Sequence, residues 1–208
     1  RRVGDLCVKH NVLVVSDEIH SDFTWPGHEH HVFANLDPKY AEISITCTAP
    51  SKTFNLAGLQ TSNIFIPNRT LRKTFKKAID QAGYSQLNTL GLVACQAAYE
   101  EGEPWLTELK KYLLENLDFS RDYIERNLPG VHLIEPEGTY LIWLDFRDLG
   151  LPEEKLEHLI TKEAKLWLDS GAIFGSDGEG FERINIACPR TTLKEAFDRL
   201  AKALNSLE

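Results

Sequence analysis

Val12-Leu13-Val14-Val15-Ser16-Asp17-Glu18-Ile19-His20 is a short apolar, β-branched run that ends abruptly in acids. Residues Val12 to Val15 have the composition of a strand buried on both faces, the kind parallel sheets use. Ile43 to Cys47 is a second such run, and Asn63 to Ile66 a third. Helical patterns follow. Arg69 to Gln81 repeats Leu71, Phe75 and Ile79 on one face and basic residues on the other. A further helix spans about Asn88 to Glu101. Another opens at Glu103-Pro104-Trp105, where Pro104 suits a first turn, and stops before Pro129-Gly130. Strands followed by helices predict an α/β fold with one part of a mostly parallel sheet.

Beyond residue 130 the texture changes. Val131 to Ile134 and Tyr140 to Leu144 predict two strands around Glu135-Pro136-Glu137-Gly138. The pattern over Pro152 to Ser170 predicts a helix ended by Gly171. Ile173-Phe174-Gly175 and Arg183 to Ala187 read as short strands, and Thr192 to Leu207 as a final helix capped by Thr191 or Thr192. These elements predict two domains: residues 1–120, part of a larger sheet domain, and residues 121–208, a small α+β domain. Tyr140, Trp143 and Trp167 lie in apolar patterns and are expected in the core. The chain opens on Arg1-Arg2-Val3-Gly4-Asp5-Leu6-Cys7, already in helical register, so it reads as the C-terminal part of a larger protein.

The chain has 208 residues, 42% hydrophobic and 26% charged, with a net charge of -8. Such an acidic balance argues against nucleic-acid and anionic-membrane partners. Cys7, Cys47, Cys95 and Cys188 are widely spaced with no C-x-x-C pair, so they read as reduced thiols of a cytoplasmic protein. No stretch approaches the roughly 18 apolar residues of a membrane span. His28-Glu29-His30-His31 fits no metal-ligand spacing and reads as solvated surface.

Ligands of open α/β sheets bind at the carboxyl ends of strands. Asp17 ends the first strand, and Lys52 follows the second in Thr48-Ala49-Pro50-Ser51-Lys52-Thr53-Phe54-Asn55-Leu56-Ala57-Gly58. An amine and a carboxylate so placed suit a pyridine aldehyde: the amine bonds the aldehyde, and the carboxylate keeps the ring nitrogen protonated. That is the chemistry of pyridoxal phosphate. Asp17 reads equally as a turn cap, and Lys52 alone as a surface lysine. Glu18 reads as a structural acid. His20 reads either as a contact to the ring or as a structural histidine. Thr48 and Ser51 offer hydroxyls for a phosphate. Arg183 offers a guanidinium for a substrate carboxylate, or an ion pair at a strand edge. Arg190 is a weaker candidate for the same role.

In order along the chain, Asp17-Glu18-Ile19-His20, Ser51-Lys52-Thr53-Phe54-Asn55-Leu56-Ala57-Gly58-Leu59-Gln60, Glu137-Gly138-Thr139-Tyr140 and Arg183-Ile184-Asn185-Ile186-Ala187-Cys188-Pro189-Arg190 resemble the class I/II aminotransferases of pyridoxal-phosphate fold type I. His20, Trp25 and the wording around Lys52 are most similar to the MalY/PatB branch, the cystathionine β-lyase-like C–S lyases. The resemblance covers essentially the whole chain. It implies Lys52 as the cofactor-bonding amine, Asp17 for the pyridinium nitrogen and Arg183 for the substrate carboxylate, with His20, Ser51 and Thr48 as further cofactor contacts. Gln60 stands where many members carry a phosphate-binding arginine. The family's N-terminal half, with its ring-stacking aromatic and phosphate-binding turn, is not in this sequence.

The resemblance implies a pyridoxal-phosphate C–S β-lyase that converts cystathionine or cysteine S-conjugates to a thiol, pyruvate and ammonia, and that works as a homodimer. An aminotransferase using the same residues is the second reading. A truncated or regulatory domain without catalysis is the third.

Overall fold

The computed structural model describes residues 1–84 and 86–207. They form two compact units, Arg1–Glu108 and Leu109–Glu208.

In the first unit, α1 (Arg2–Lys9) leads to β1 (Val14–Asp17). The helix lies on the buried ring of Tyr40, so close that a Cβ on Gly4 would stand 2.6 Å from it. The Tyr40 hydroxyl donates to Asp5 Oδ1 at 2.8 Å. Next come α2 (Pro38–Ala41), capped by Asp37, and β2 (Ser44–Thr48). A one-turn helix, α3 (Pro50–Thr53), separates β2 from β3 (Asn63–Phe65). The sheet order is β1-β2-β3. β1 runs parallel to β2, with Asp17 beside Cys47, whereas β3 is antiparallel to β2. The three strands described therefore form a mixed sheet. α4 (Arg69–Gln81) and α5 (Thr89–Glu101) are capped by Asn68 and Asn88, whose side chains accept from backbone N–H groups of the first turn. α6 (Glu103–Asn127) carries the boundary between the two units.

Two features differ from the sequence reading. β1 starts two residues later than the apolar run, and it is not buried on both faces: Val15 is 66% exposed, and Val12 and Leu13 are exposed as well. Among the described residues β1 has β2 as its one strand neighbour, which leaves these side chains exposed in this chain.

In the second unit, β4 (His132–Ile134), β5 (Leu141–Asp145), β6 (Asp169–Ser170) and β7 (Phe181–Asn185) form an antiparallel sheet of order β4-β5-β7-β6. α7 (Glu153–His158) precedes β6, and α8 (Arg190–Leu204) closes the chain. Leu193, Phe197, Leu200 and Leu204 recur at helical spacing on the buried face of α8. Phe197 stacks on Tyr123 and lies against Phe119, both on α6. Burying each such side chain contributes about 1.5–3 kcal/mol.

The predicted helix over residues 152–170 is broken. α7 stops at His158, a π-turn covers Leu159–Glu163, Lys165 adopts a left-handed φ of 54°, and residues 169–170 pair with β7. Sheet pairing of Asp169 and Ser170, with a bond from the Ser170 hydroxyl to Glu153, overrides helical propensity there. Trp167, expected in the core, is 97% exposed. The predicted strand at 173–175 is a 3-10 turn, Gly171–Phe174. α8 begins at Arg190 after Pro189, with no side-chain cap from either threonine.

Candidate active site

Parallel pairing puts the carboxyl ends of β1 and β2 side by side, with Asp17 and Cys47 as Cα partners. Neighbouring strands lie about 4.8 Å apart. Thr48 ends β2, Ala49 and Pro50 turn the chain, and Ser51 and Lys52 sit in the single turn of α3. Asp17 and Lys52 thus flank one strand end, where open α/β sheets hold ligands. Asp17 is exposed. Its Oδ1 accepts from the Ile19 N–H at 3.2 Å, and among the described residues its Oδ2 has no hydrogen bond. Lys52 is exposed and has no ion pair among the described residues. Thr48 and Ser51 are half-buried beside it. His20 lies in the turn after β1, half-buried.

The turn carrying Asp17 and His20 is anchored from beneath. Glu18 is buried, and its carboxylate accepts from Ser16 Oγ at 2.9 Å, the Phe33 N–H at 3.1 Å and His30 Nε2 at 2.8 Å. An ionised carboxylate only accepts, so Nε2 carries the proton. Burial works to raise the Glu18 carboxyl, but the bonds from His30, Phe33 and Ser16 outweigh it and hold it below its ordinary value. One histidine of the 28–31 cluster is therefore an internal strut and not solvated surface.

Lys52 is held from the other side by its neighbours in sequence. The buried Thr53 hydroxyl donates to Asp22 Oδ2 at 2.6 Å. Phe54 lies edge-on to Tyr99 and tilted on Trp105. The Tyr99 hydroxyl accepts from Asn63 Nδ2 at 3.2 Å. Burial first, then the charges of Cys95 and Asp22, push the Tyr99 phenol up, with Asn63 and Thr48 pulling the other way. Gly91 of α5 lies so near this loop that a Cβ would collide with Thr61 Oγ1. Asn55 and Gln60 take left-handed φ values of 56° and 51°, which fixes the loop after Lys52.

In the second unit, Arg183 of β7 faces Asp169 of β6: Nε and Nη2 lie 3.1 and 2.7 Å from Asp169 Oδ2. Its guanidinium also stacks over Phe174 at 4.9 Å. Nη1 stays uncommitted among the described residues. Arg190 is used structurally, donating from Nε to Asn116 Oδ1 at 2.6 Å and lying over Phe119.

Asp22, Thr53 and Tyr99 were not singled out by the sequence reading. A threonine beside a lysine and an aspartate 31 positions earlier carry no joint signal in a single sequence.

The sequence model of the family described as aminotransferase class I and II matches residues 1–200. The chain belongs to that family. Its α/β fold is that of the fold-type I enzymes, as seen in the crystal structure of cystalysin from Treponema denticola, which contains a pyridoxal 5'-phosphate cofactor. That structure superposes with a TM-score of 0.95 at 41% identity, covering 100% of this chain and 52% of the other. Cystathionine beta-lyase PatB of Bacillus subtilis (strain 168) is 44% identical over 204 residues, 98% of this chain and 53% of that protein. Protein MalY of Escherichia coli (strain K12) is 33% identical over 206 residues, 99% of this chain and 52% of that protein. The chain spans about half the length of the curated relatives it matches. Among the described residues no helix is long and apolar enough to cross a membrane.

Proposed function

We propose that this chain is part of a pyridoxal-phosphate-dependent C–S β-lyase that cleaves cystathionine or cysteine S-conjugates to a thiol, pyruvate and ammonia. The observation that supports the reading is the parallel pairing of β1 with β2, which puts Asp17 at a strand end beside Cys47, with Lys52 in the turn of α3 that follows β2. The donor set fits the cofactor: an amine without an ion pair, a carboxylate with an uncommitted oxygen, and the hydroxyls of Thr48 and Ser51. The likeness to PatB and cystalysin favours the lyase over an aminotransferase using the same residues.

Bound pyridoxal phosphate supplies an aldehyde for an amine and a protonated ring that takes up an electron pair from Cα. Lys52 would hold that aldehyde, and its amine, when free, would take the Cα proton of the substrate. Asp17 Oδ2 accepts from the ring N–H and keeps it protonated. His20 contacts the ring, and Thr48 and Ser51 donate to the phosphate. Arg183, its plane fixed by Asp169 and Phe174, donates to the substrate carboxylate. Breaking the Cβ–S bond would release a thiolate, which takes a proton to leave as the thiol, and water would hydrolyse the remaining three-carbon enamine to pyruvate and ammonia.

On this reading residues 1–120 belong to the cofactor-binding domain and 121–208 to the small domain. The protein works as a homodimer in the cytoplasm on small amino acids, and its net charge of -8 supports a role without nucleic acid.

The test is absorbance of the complete protein with pyridoxal phosphate before and after borohydride, with peptide mass to locate the adduct, then pyruvate release from cystathionine. The expected result is a reduced adduct on Lys52 and pyruvate formed without a keto-acid acceptor. Pyruvate that requires an acceptor favours the aminotransferase, and no adduct on Lys52 sinks the cofactor reading.

A further inference from the structure

We propose that Asp22 is a positioning residue that sets Lys52 opposite Asp17, acting through Thr53; this rests on the reading of Lys52 as the cofactor-holding amine. α3 is four residues long, too short to hold its own orientation. Something outside it must fix where the Lys52 side chain starts. The one side-chain hydrogen bond of α3 among the described residues is from Thr53 Oγ1 to Asp22 Oδ2, at 2.6 Å. That length is typical of a hydroxyl on a charged oxygen, and such bonds are stronger than neutral ones. Thr53 is 1% exposed, so a hydroxyl deprived of Asp22 cannot turn to solvent.

The other end of the strut is equally fixed. Asp22 stands five residues after Asp17, in successive tight turns closed by Ser21 N–H to Glu18 O at 3.0 Å and Phe23 N–H to His20 O at 3.1 Å. In the same segment Glu18 accepts from three donors, and Phe23 and Trp25 are buried. A continuous series of short contacts therefore joins the strand end carrying Asp17 to the residue beside Lys52. Among the described residues the strut spans two segments that the backbone does not hydrogen-bond to each other beyond the strand ends, and so it governs the separation of the two reactive groups.

The experiment uses the complete protein with pyridoxal phosphate. The variants are Asp22→Ala, Asp22→Asn, Thr53→Val, Thr53→Ser and the double Asp22→Ala/Thr53→Val. Readouts are the dissociation constant for pyridoxal phosphate and the pH titration of the visible band of the Lys52 adduct, with circular dichroism to check folding. Asp22→Ala and Thr53→Val are each expected to weaken cofactor binding about tenfold or more and to displace the titration. Thr53→Ser and Asp22→Asn, which keep donor and acceptor, are expected to stay within about threefold of the parent, and the double variant to be no worse than the worse single one. An effect in Asp22→Asn without one in Thr53→Val means the Asp22 charge acts directly on the cofactor, and overturns the strut. So does an unchanged titration in both Asp22→Ala and Thr53→Val while the parent is labelled on Lys52. Should Asp22→Ala not fold, the contrast of Thr53→Val with Thr53→Ser decides. A parent without any adduct on Lys52 removes the functional reading and this inference with it, an outcome distinct from labelled parent and indifferent variants.

Discussion

Asn116 accepts a 2.6 Å hydrogen bond from Arg190 Nε while its own amide donates to the carbonyls of Ile186 at 2.8 Å and Cys188 at 3.0 Å. One fully buried side chain of α6 thus fastens the whole connection from β7, which carries Arg183, to α8. Asn116→Ala leaves two carbonyls and a guanidinium N–H unsatisfied inside the second unit. It is expected to destabilise by about 3 kcal/mol in denaturant unfolding. Asn116→Asp keeps the acceptor for Arg190 but loses both donors, and is expected to cost nearly as much.

Glu182 makes stability fall as pH rises. It is 2% exposed in β7. Burial first, then the charges of Glu153, Glu157 and Asp169, push its carboxyl up to about 7 from an ordinary 4.5. The folded form therefore holds the proton more tightly than the unfolded chain. Its contribution is fully present below about pH 4.5 and is lost as pH rises to about 7, a change on the order of 2 kcal/mol. Glu182→Gln does not titrate. Unfolding measured from pH 4.5 to 8 is expected to show the variant gaining on the parent across that interval, and a constant difference would refute the assignment.

Glu18 has the opposite sign. Its folded value lies below 4.5, so its contribution is present above that pH and is lost as pH falls through the folded value. Glu18→Gln is expected to cost about 1–3 kcal/mol at pH 7 and progressively less in acid. His30→Ala should reproduce part of the loss, and hydrogen exchange should locate the loosening in the segment between Glu18 and Phe33.

Asp17→Ala tests the chemistry apart from folding. The residue is exposed and accepts one local N–H, so the variant is expected to melt within about 1 kcal/mol of the parent. Its turnover of cystathionine is expected to fall at least about a hundredfold, and that of Lys52→Ala further. Full activity in Asp17→Ala with bound cofactor would remove the role given to its carboxylate.

The parts of the site written in contiguous residues were legible. A β-branched run ending in Asp17, and a lysine in a Pro-Ser-Lys-Thr turn after the next strand, predict the α/β arrangement that is observed and single out Asp17 and Lys52 as the candidate pair. The helix over Arg69 to Gln81 follows from the spacing of Leu71, Phe75 and Ile79. What could not be read depends on distant partners. The Thr53–Asp22 bond and the Glu18–His30 bond join positions that share no period. Leu156, Leu159 and Ile160 keep an apolar pattern with helical spacing, but β7 offers Asp169 and Ser170 a sheet ladder, and the helix gives way beyond His158. Trp167 shows the converse: an aromatic in an apolar run predicts a core position, yet the extended segment turns it outward.

Among the described residues β1 pairs with β2 alone, and Val15 is exposed on it. The outward main-chain groups of such a strand are a template on which a further strand can be laid. The geometry that brings Asp17 to a strand end thus also leaves this sheet extensible on the β1 side.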